Sequence, residues 1–116
     1  MPASERPPPP GTVVRVPFPY SDAETRQHRP ALVVATTGSG PGPPLVWVLM
    51  ITAAENRGWA GDITVPDNPA TGLPIPSLIR TAKIATIDTG RAEPRGRIAP
   101  ETLAQVRAEL AQCLGL

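Results

Sequence analysis

Apolar residues in this chain are grouped in short runs separated by proline and glycine. Thr12–Val16 is rich in β-branched residues and is followed by Pro17, and Asp62–Val65 is a similar short segment. Two further runs, Ala31–Thr36 and Leu45–Thr52, are almost continuously apolar. Short β-branched runs bounded by turn residues are typical of strands, and continuous apolar runs are typical of central strands. The pattern therefore predicts four strands, with Pro17 as the breaker that ends the first.

The last third of the chain changes period. Ser77–Asp88 alternates imperfectly and predicts a fifth strand. Apolar residues then recur at helical spacing, at Leu103, Val106, Leu110 and Cys113 or Leu114. With Pro100 suited to a first turn and Gly115 to the position past the end, a helix is predicted from about Pro100 to Leu114. Five short strands and one terminal helix predict a mainly β (α+β) fold, a small barrel with a helix packed on it.

Length and composition predict one domain with a short tail. The 116 residues suit a single domain, and residues 1–10 hold five prolines, which predicts an extended, partly disordered tail before a domain at 11–116. Hydrophobic residues make up 41% of the chain but aromatic ones only 3%, so the core must be built from Val, Ile, Leu and Ala. Dimerisation would add burial that so small a core lacks.

Charge, cysteine and histidine usage exclude several classes of function. The net charge of +1 provides no strong attraction for nucleic acid by charge alone. Lys83 is the only lysine among 11 cations, and arginine suits phosphate oxygens, although a coding bias toward arginine is the simpler explanation for most of them. Cys113 and His28 are each the only residue of their type, which excludes a disulfide framework and a site with several histidine ligands. Carboxylate-only magnesium sites remain possible, but a mechanism without metal or cofactor is the simpler inference.

The chain carries no sign of a membrane or secreted protein. Its N-terminus has no apolar segment like a signal peptide, and its longest apolar run is far below the ~20 residues that span a bilayer. Together with the lone cysteine, this predicts a cytoplasmic protein.

Arg29 is the leading candidate for chemistry. It opens the apolar run Ala31–Thr36, where a cation is badly placed for packing and well placed for holding a phosphate. The alternative is a surface salt bridge to Asp22 or Glu24. Thr52 ends the next apolar run with a hydroxyl; the alternative there is an ordinary strand-end threonine bonded to the backbone.

The order of residues around Arg29 resembles the PemK/MazF family of toxin endoribonucleases. The resemblance covers Gly11 to Leu116 in order, and no single fragment carries it. The matching segments are Gly11–Asp22, Arg29–Val34, Leu49–Thr52, Gly72–Arg80, Lys83–Asp88 and Gly96–Ile98.

This resemblance implies a fold, an activity and partners. Members of the family form an SH3-like barrel of the PemK/MazF/CcdB type with a C-terminal helix, act as homodimers, cut single-stranded RNA without a metal, and are inhibited by a cognate antitoxin. Their catalytic pair is an arginine followed by proline and a threonine ending the third strand, which correspond here to Arg29 and Thr52.

The chemistry of RNA cleavage suits these two side chains. RNA supplies its own nucleophile, the 2′-hydroxyl next to the scissile phosphate. Arg29 would stabilise negative charge on that phosphate, since a guanidinium with a pKa above ~12 is a poor proton acceptor. Thr52 would hold the phosphate by its hydroxyl or its backbone N–H.

Further RNA-binding candidates are less specific. The resemblance places Arg80 where some members have a basic residue lining the RNA groove, and Ser77 on the same strand could contact phosphate; a solvated strand face explains both equally well. Some members carry an acid where this chain has Ala82, so proton-transfer schemes that use it do not carry over. Ala53 stands where a serine is frequent, which bears on substrate choice.

Aromatic residues and His28 complete the candidates. His28 could reach the phosphate held by Arg29, although neighbours along a strand face opposite sides. Tyr20 and Trp59 are possible platforms on which bases stack, whereas Trp47 is predicted to lie in the core.

The sequence as a whole predicts a type II toxin that cleaves RNA to a 2′,3′-cyclic phosphate and a 5′-hydroxyl. Fold alone does not settle function. A CcdB-like protein that binds gyrase without catalysis, and a degenerate member that only binds antitoxin, are the alternatives.

Overall fold

The computed structural model describes residues 7–18, 27–37 and 44–116. These form one antiparallel sheet of six strands and a single α-helix. The elements are β1 Thr12–Phe18, β2 Gln27–Thr37, β3 Leu45–Ala53, β4 Asp62–Val65, β5 Ser77–Asp88, β6 Glu93–Arg97 and α1 Pro100–Leu114. All five predicted strands and the helix are confirmed, and β6 is an addition that the sequence pattern did not indicate.

The strands follow the order β4-β5-β3-β2-β1-β6. The sheet is not closed: among the described residues, β4 and β6 remain its two edges and do not pair with each other. The predicted mainly β fold with a C-terminal helix is therefore confirmed, with a sheet that is open among the described residues where a closed barrel was predicted.

Two apolar clusters lie on opposite faces of the sheet. On one face, Val13, Leu32, Leu49 and Ile51 pack with Val106 of α1, and all of these are essentially inaccessible to solvent. The other face buries the alternate residues of the same strands, chiefly Val14, Val16, Ala31, Val33, Val46 and Val48, and is completed by Ile87 and Ala92. Both clusters are aliphatic, as the scarcity of aromatic residues predicts.

Helix α1 has the predicted bounds and termini. Pro100 occupies its first turn, and Gly115 ends it in the left-handed region at a φ of 72°, where glycine has no Cβ penalty. Val106 is fully buried, and Leu103 and Leu110 pack against the same cluster. Cys113 is exposed, so the buried stripe ends one turn earlier than its sequence pattern suggested.

Three prolines lie inside strands, Pro17, Pro30 and Pro94, and the first of these corrects the prediction that Pro17 ends β1. Pro94 belongs to the edge strand β6. Pro17 is paired with His28 of β2, but β6 pairs only with Thr12–Arg15, so Pro17 lies beyond that ladder. Pro30 of β2 likewise lies just outside the β2–β3 ladder, which begins at Ala31. A proline is tolerated where a strand has a neighbour on one side only, because its missing N–H breaks no ladder bond there.

At the N-terminus, the described residues begin at Pro7. Pro8 is buried, and the carbonyl of Pro9 accepts hydrogen bonds from the N–H and the hydroxyl of Thr12, at 3.1 and 2.7 Å. Residues 1–6 lie outside the described residues, and the division into a tail and a domain stays a prediction.

Candidate active site

Arg29 is the third residue of β2, in the solvent-exposed first part of that strand. The strand begins at Gln27, so Arg29 precedes the buried segment by two positions and does not open the strand. Its Nη2 donates a hydrogen bond to Oε1 of Gln27 at 3.0 Å. Asp22 and Glu24, the alternative partners, lie outside the described residues.

Thr52 is the penultimate residue of β3 and is 8% exposed. Its Oγ1 accepts a hydrogen bond of 2.9 Å from Nδ2 of Asn56. A threonine hydroxyl that accepts one hydrogen bond keeps its own proton for another acceptor. The Asn56 amide therefore fixes Oγ1 and leaves the O–H able to donate.

The register of β2 with β3 brings Arg29 and Thr52 to one place. The last pair of this ladder joins Ala31 to Met50. Two residues further along each strand come Arg29 and Thr52, so both lie at the same end of the strand pair. Alternation also gives them one face, the face on which Ala31 and Val48 are buried.

An open groove of about 260 Å³ runs beside the first part of β2. Its border includes four basic residues, Arg15, His28, Arg29 and Arg95, together with apolar side chains such as Leu73 and Pro74. Arg95 forms a solvent-exposed ion pair with Glu93, with Nη2 2.5 Å from Oε1. Alternation places Arg15 and His28 on the sheet face opposite to Arg29, and Thr52 does not border this groove.

Arg80 lies inside the protein, which excludes the solvated strand face that its sequence left open as the alternative to an RNA contact. Only 7% of it is exposed. Its Nε and Nη2 donate to the two carboxylate oxygens of Asp62 at 3.2 and 3.0 Å, and Nη2 also donates to the carbonyl of Asn56 at 2.6 Å. Its guanidinium carbon is 4.4 Å from the centre of the Trp59 ring. The structure thus places Arg80 among protein partners on the sheet face of Thr52.

Asp62 is held as a carboxylate by this arrangement. The Arg80 guanidinium lowers the pKa of Asp62 below its ordinary value, and the backbone N–H of Trp59, 3.1 Å from Oδ2, lowers the pKa further. Burial acts in the opposite direction but is outweighed.

The remaining predicted site residues are placed as follows. Ser77 is buried, donates its hydroxyl to the carbonyl of Ile75 at 2.8 Å, and lies beside Val65 on the opposite face, so the structure does not bring it to Thr52. Tyr20 lies outside the described residues. Trp59 is 47% exposed, so one side of it can still be reached from solvent.

The prediction that Trp47 lies in the core is wrong, since 45% of this residue is exposed. Alternation places Trp47 on the face that α1 covers, together with Leu49 and Ile51. The cluster completed by α1 includes those two residues and stops short of Trp47.

Sequence reasoning missed Asn56 and Asp62. Both carry side-chain hydrogen bonds that converge on Thr52 and Arg80. In the sequence, Asn56 is an amide four residues after a strand-end threonine, and Asp62 is an acid at the start of a short strand. Neither pattern is specific to a functional site.

Within the described ranges 7–18, 27–37 and 44–116, no group of three His, Cys, Asp or Glu residues is placed to hold a metal ion. No helix in this part of the chain is long and apolar enough to cross a membrane. Catalysis without a metal stays a prediction.

Comparison with known proteins gives one family and one fold. The profile of a family described as "PemK-like, MazF-like toxin of type II toxin–antitoxin system" matches residues 9–114. No curated protein sequence matches the chain significantly.

Several solved structures share the fold. The chain resembles MazF from Deinococcus radiodurans with a TM-score of 0.70 and 24% identity, over 96% of this chain and 99% of that one. A mycobacterial endoribonuclease in complex with its cognate antitoxin gives 0.71 and 20% identity over 94% and 96% of the two chains. The Mycobacterium tuberculosis toxin MazF-mt6 gives 0.65 and 20% over 96% and 98%.

Proposed function

This chain belongs to the PemK-like, MazF-like toxins of type II toxin–antitoxin systems, and from that membership we propose that it is an endoribonuclease that cleaves single-stranded RNA without a metal. The reaction is a transesterification. The 2′-oxygen attacks the adjacent phosphorus and the bond from phosphorus to the 5′-oxygen breaks. The 2′-hydroxyl proton passes to a base, and a proton is delivered to the leaving 5′-oxygen. The products are a 2′,3′-cyclic phosphate and a 5′-hydroxyl.

Arg29 would stabilise the charge that develops on the phosphate. A guanidinium has five N–H donors, of which the bond to Gln27 uses one, and it can hold two phosphate oxygens at once. Because its pKa is above ~12, the side chain acts through charge rather than as a base. Removing one such donor from a phosphate or oxyanion site costs on the order of 100- to 1,000-fold in rate.

The observation that carries the proposal is the polarised hydroxyl of Thr52 on the same face and at the same strand end as Arg29. Because Asn56 Nδ2 donates to Oγ1 at 2.9 Å, the hydroxyl proton is directed to another acceptor. A non-bridging oxygen of the phosphate held by Arg29 is that acceptor in the proposed complex. We place the neighbouring nucleotides in the groove bordered by Arg15, His28, Arg29 and Arg95, in which Arg29 is the residue shared with the Thr52 side.

Its partners follow from the same family membership. A structurally similar mycobacterial endoribonuclease has been solved with its cognate antitoxin. We extend that association to this chain: a cytoplasmic homodimer whose groove binds either RNA or an antitoxin.

The test is cleavage of a panel of single-stranded RNAs in EDTA, with product ends identified by mass spectrometry. Wild type is expected to yield cyclic phosphate ends, and Arg29→Ala to lose nearly all activity. Arg91→Ala, which removes an exposed cation outside the site, is the matched control and should cleave like wild type. Folded wild-type protein that leaves every RNA intact would overturn the enzyme proposal and favour a toxin that acts by binding.

A further inference from the structure

A continuous set of hydrogen bonds joins β4, β5 and the end of β3. Asp62 binds Arg80 through both carboxylate oxygens, and Arg80 binds the carbonyl of Asn56 at 2.6 Å. Asn56 in turn binds the hydroxyl of Thr52 through its side chain at 2.9 Å. The guanidinium is thus two hydrogen bonds away from the hydroxyl of Thr52.

Asn56 depends on these contacts for its position. It ends a single 3₁₀ turn, Ala54–Asn56, which has no side-chain cap and no buried residue. Besides the bond from Asn56 to Thr52, two hydrogen bonds hold this turn: the N–H of Ala54 donates to the carbonyl of Pro76, just before β5, at 3.0 Å, and Arg80 of β5 donates to the carbonyl of Asn56. A short turn without apolar packing is easily displaced, so the bond from Arg80 largely determines where the Asn56 amide points.

Arg80 itself is rigid and shielded. Its side chain and that of Asp62 are each only 9% exposed, and the fork geometry fixes the guanidinium plane. The ring of Trp59 lies 4.4 Å from the guanidinium carbon and covers it. To reach Nε a phosphate would have to displace Asp62, and to reach Nη2 it would have to displace Asp62 or the carbonyl of Asn56.

We infer that Arg80 is a positioning residue for RNA cleavage: anchored by Asp62, it holds the Ala54–Asn56 turn so that the Asn56 amide orients the hydroxyl of Thr52. The inference rests on the proposed endoribonuclease function. It differs from a direct contact between Arg80 and RNA, because here the arginine acts only through Asn56 and Thr52.

The two roles predict different kinetics. A positioning residue changes the rate of the bound complex, so Arg80→Met should lower kcat by about 10- to 100-fold and leave KM within about twofold. A phosphate contact would raise KM, and its loss would reduce the slope of log KM against log salt by about 0.7. The salt slope of Arg80→Met is therefore expected to equal that of wild type.

A double-mutant cycle with Thr52→Ala distinguishes the positioning role of Arg80 from a direct contact with RNA without relying on absolute rates. If Arg80 acts only through Thr52, the double variant should be no slower than Thr52→Ala alone, because nothing remains to be positioned. Multiplicative losses in the double variant would overturn the inference. Arg107→Met, which removes an exposed cation on α1, is the matched control. It should leave kcat nearly unchanged, both in the wild-type protein and in the Thr52→Ala background.

Two measures keep the test decisive if Arg80→Met unfolds. The variant Asp62→Leu/Arg80→Met removes both buried charges, and exchanging a whole buried pair for apolar residues is often neutral for stability. Asn56→Ala removes only the last link, and it should reproduce the loss of kcat and the non-additivity with Thr52→Ala. An Asn56→Ala enzyme with wild-type kcat would refute the inference.

NMR separates this inference from the proposed function. Because Nδ2 of Asn56 donates to Thr52, the two side-chain amide protons should have well-separated chemical shifts in wild type that converge toward random-coil values in Asp62→Leu/Arg80→Met, whether or not RNA is cleaved. An unchanged Asn56 signal would refute the positioning role, whereas a wild-type protein inert toward RNA would refute only the function.

Discussion

Replacing Asp62 by asparagine tests the buried ion pair with a minimal change of shape. The carboxylate accepts from Nε and Nη2 of Arg80 at 3.2 and 3.0 Å and from the N–H of Trp59 at 3.1 Å. Asparagine keeps the volume but offers one oxygen in place of two, and its NH₂ group then faces a donor. Arg80 stays charged and buried with a weaker partner.

The size of the effect follows from this burial. Removing one partner of a buried pair costs about 3–5 kcal/mol, and the oxygen that asparagine retains offsets part of that. The free energy of unfolding at pH 7 should therefore fall by about 2–4 kcal/mol in Asp62→Asn. For a domain of this size each kcal/mol lowers Tm by about 4–8 °C.

The pH dependence has a definite sign. Arg80 lowers the pKa of Asp62 in the folded protein below its value in the unfolded chain. A group of this kind stabilises the fold above its unfolded pKa of ~3.9, and the stabilisation is lost as the pH falls through the folded pKa. The stability gap between wild type and Asp62→Asn should be full at pH 7 and narrow below about pH 4.

Urea unfolding at several pH values between neutral and strongly acidic checks both statements. Asp67→Asn, a change of the same chemistry at an exposed carboxylate, is the control and should have little effect at neutral pH. A neutral-pH stability of Asp62→Asn equal to wild type would show that the pair is not stabilising. A gap that stays constant into strong acid would show that the carboxylate charge is not its source.

Three further predictions follow from single positions. Thr52→Val keeps the shape but removes the hydroxyl, so kcat should fall by about 10- to 100-fold in an RNA cleavage assay, whereas Thr52→Ser should retain most of it; equal activity of the two would contradict a hydroxyl role. Gly96→Ala should lower the urea midpoint markedly, because a Cβ there would overlap the backbone of Ala70 and Thr71, and an unchanged midpoint would contradict that packing. Val106→Ala removes two buried methyl groups where α1 meets the sheet and should cost about 2 kcal/mol in the same unfolding assay, with Ala108→Gly on the exposed face of α1 as the comparison for propensity alone.

Local pattern was sufficient to predict most of the fold. Continuous apolar runs predicted β2 and β3, and helical spacing with Pro100 and Gly115 predicted α1 to the residue. Strand β6, Glu93–Arg97, could not be predicted because it contains no apolar alternation; pairing with β1 defines it. Pro17 was misjudged for a related reason, since whether a proline breaks a strand depends on whether a neighbouring strand needs its N–H.

Some residues of the candidate site could likewise be named from the sequence, whereas the contacts of others could not. Arg29 and Thr52 could be named as candidates from the sequence because each lies at an end of an apolar run, and their catalytic role stays a prediction. The contacts of Arg80 could not be predicted, because its partners Asp62 and Asn56 lie 18 and 24 residues away along the chain. The pairing of β5 with β4 brings Asp62 to Arg80, and the pairing of β5 with β3 brings the turn that holds Asn56, so neither partner could be read from local pattern.

The exposed tryptophans give the protein a built-in optical reporter. Trp59 lies 4.4 Å from the guanidinium carbon of Arg80, while Trp47, the other tryptophan, lies outside that network on β3. A Trp47→Phe background therefore leaves one indole, whose emission responds to the environment of Arg80. The hydrogen bonds among Asp62, Arg80 and Asn56 can then be followed by fluorescence in real time, in unlabelled protein, as RNA or an antitoxin is mixed in.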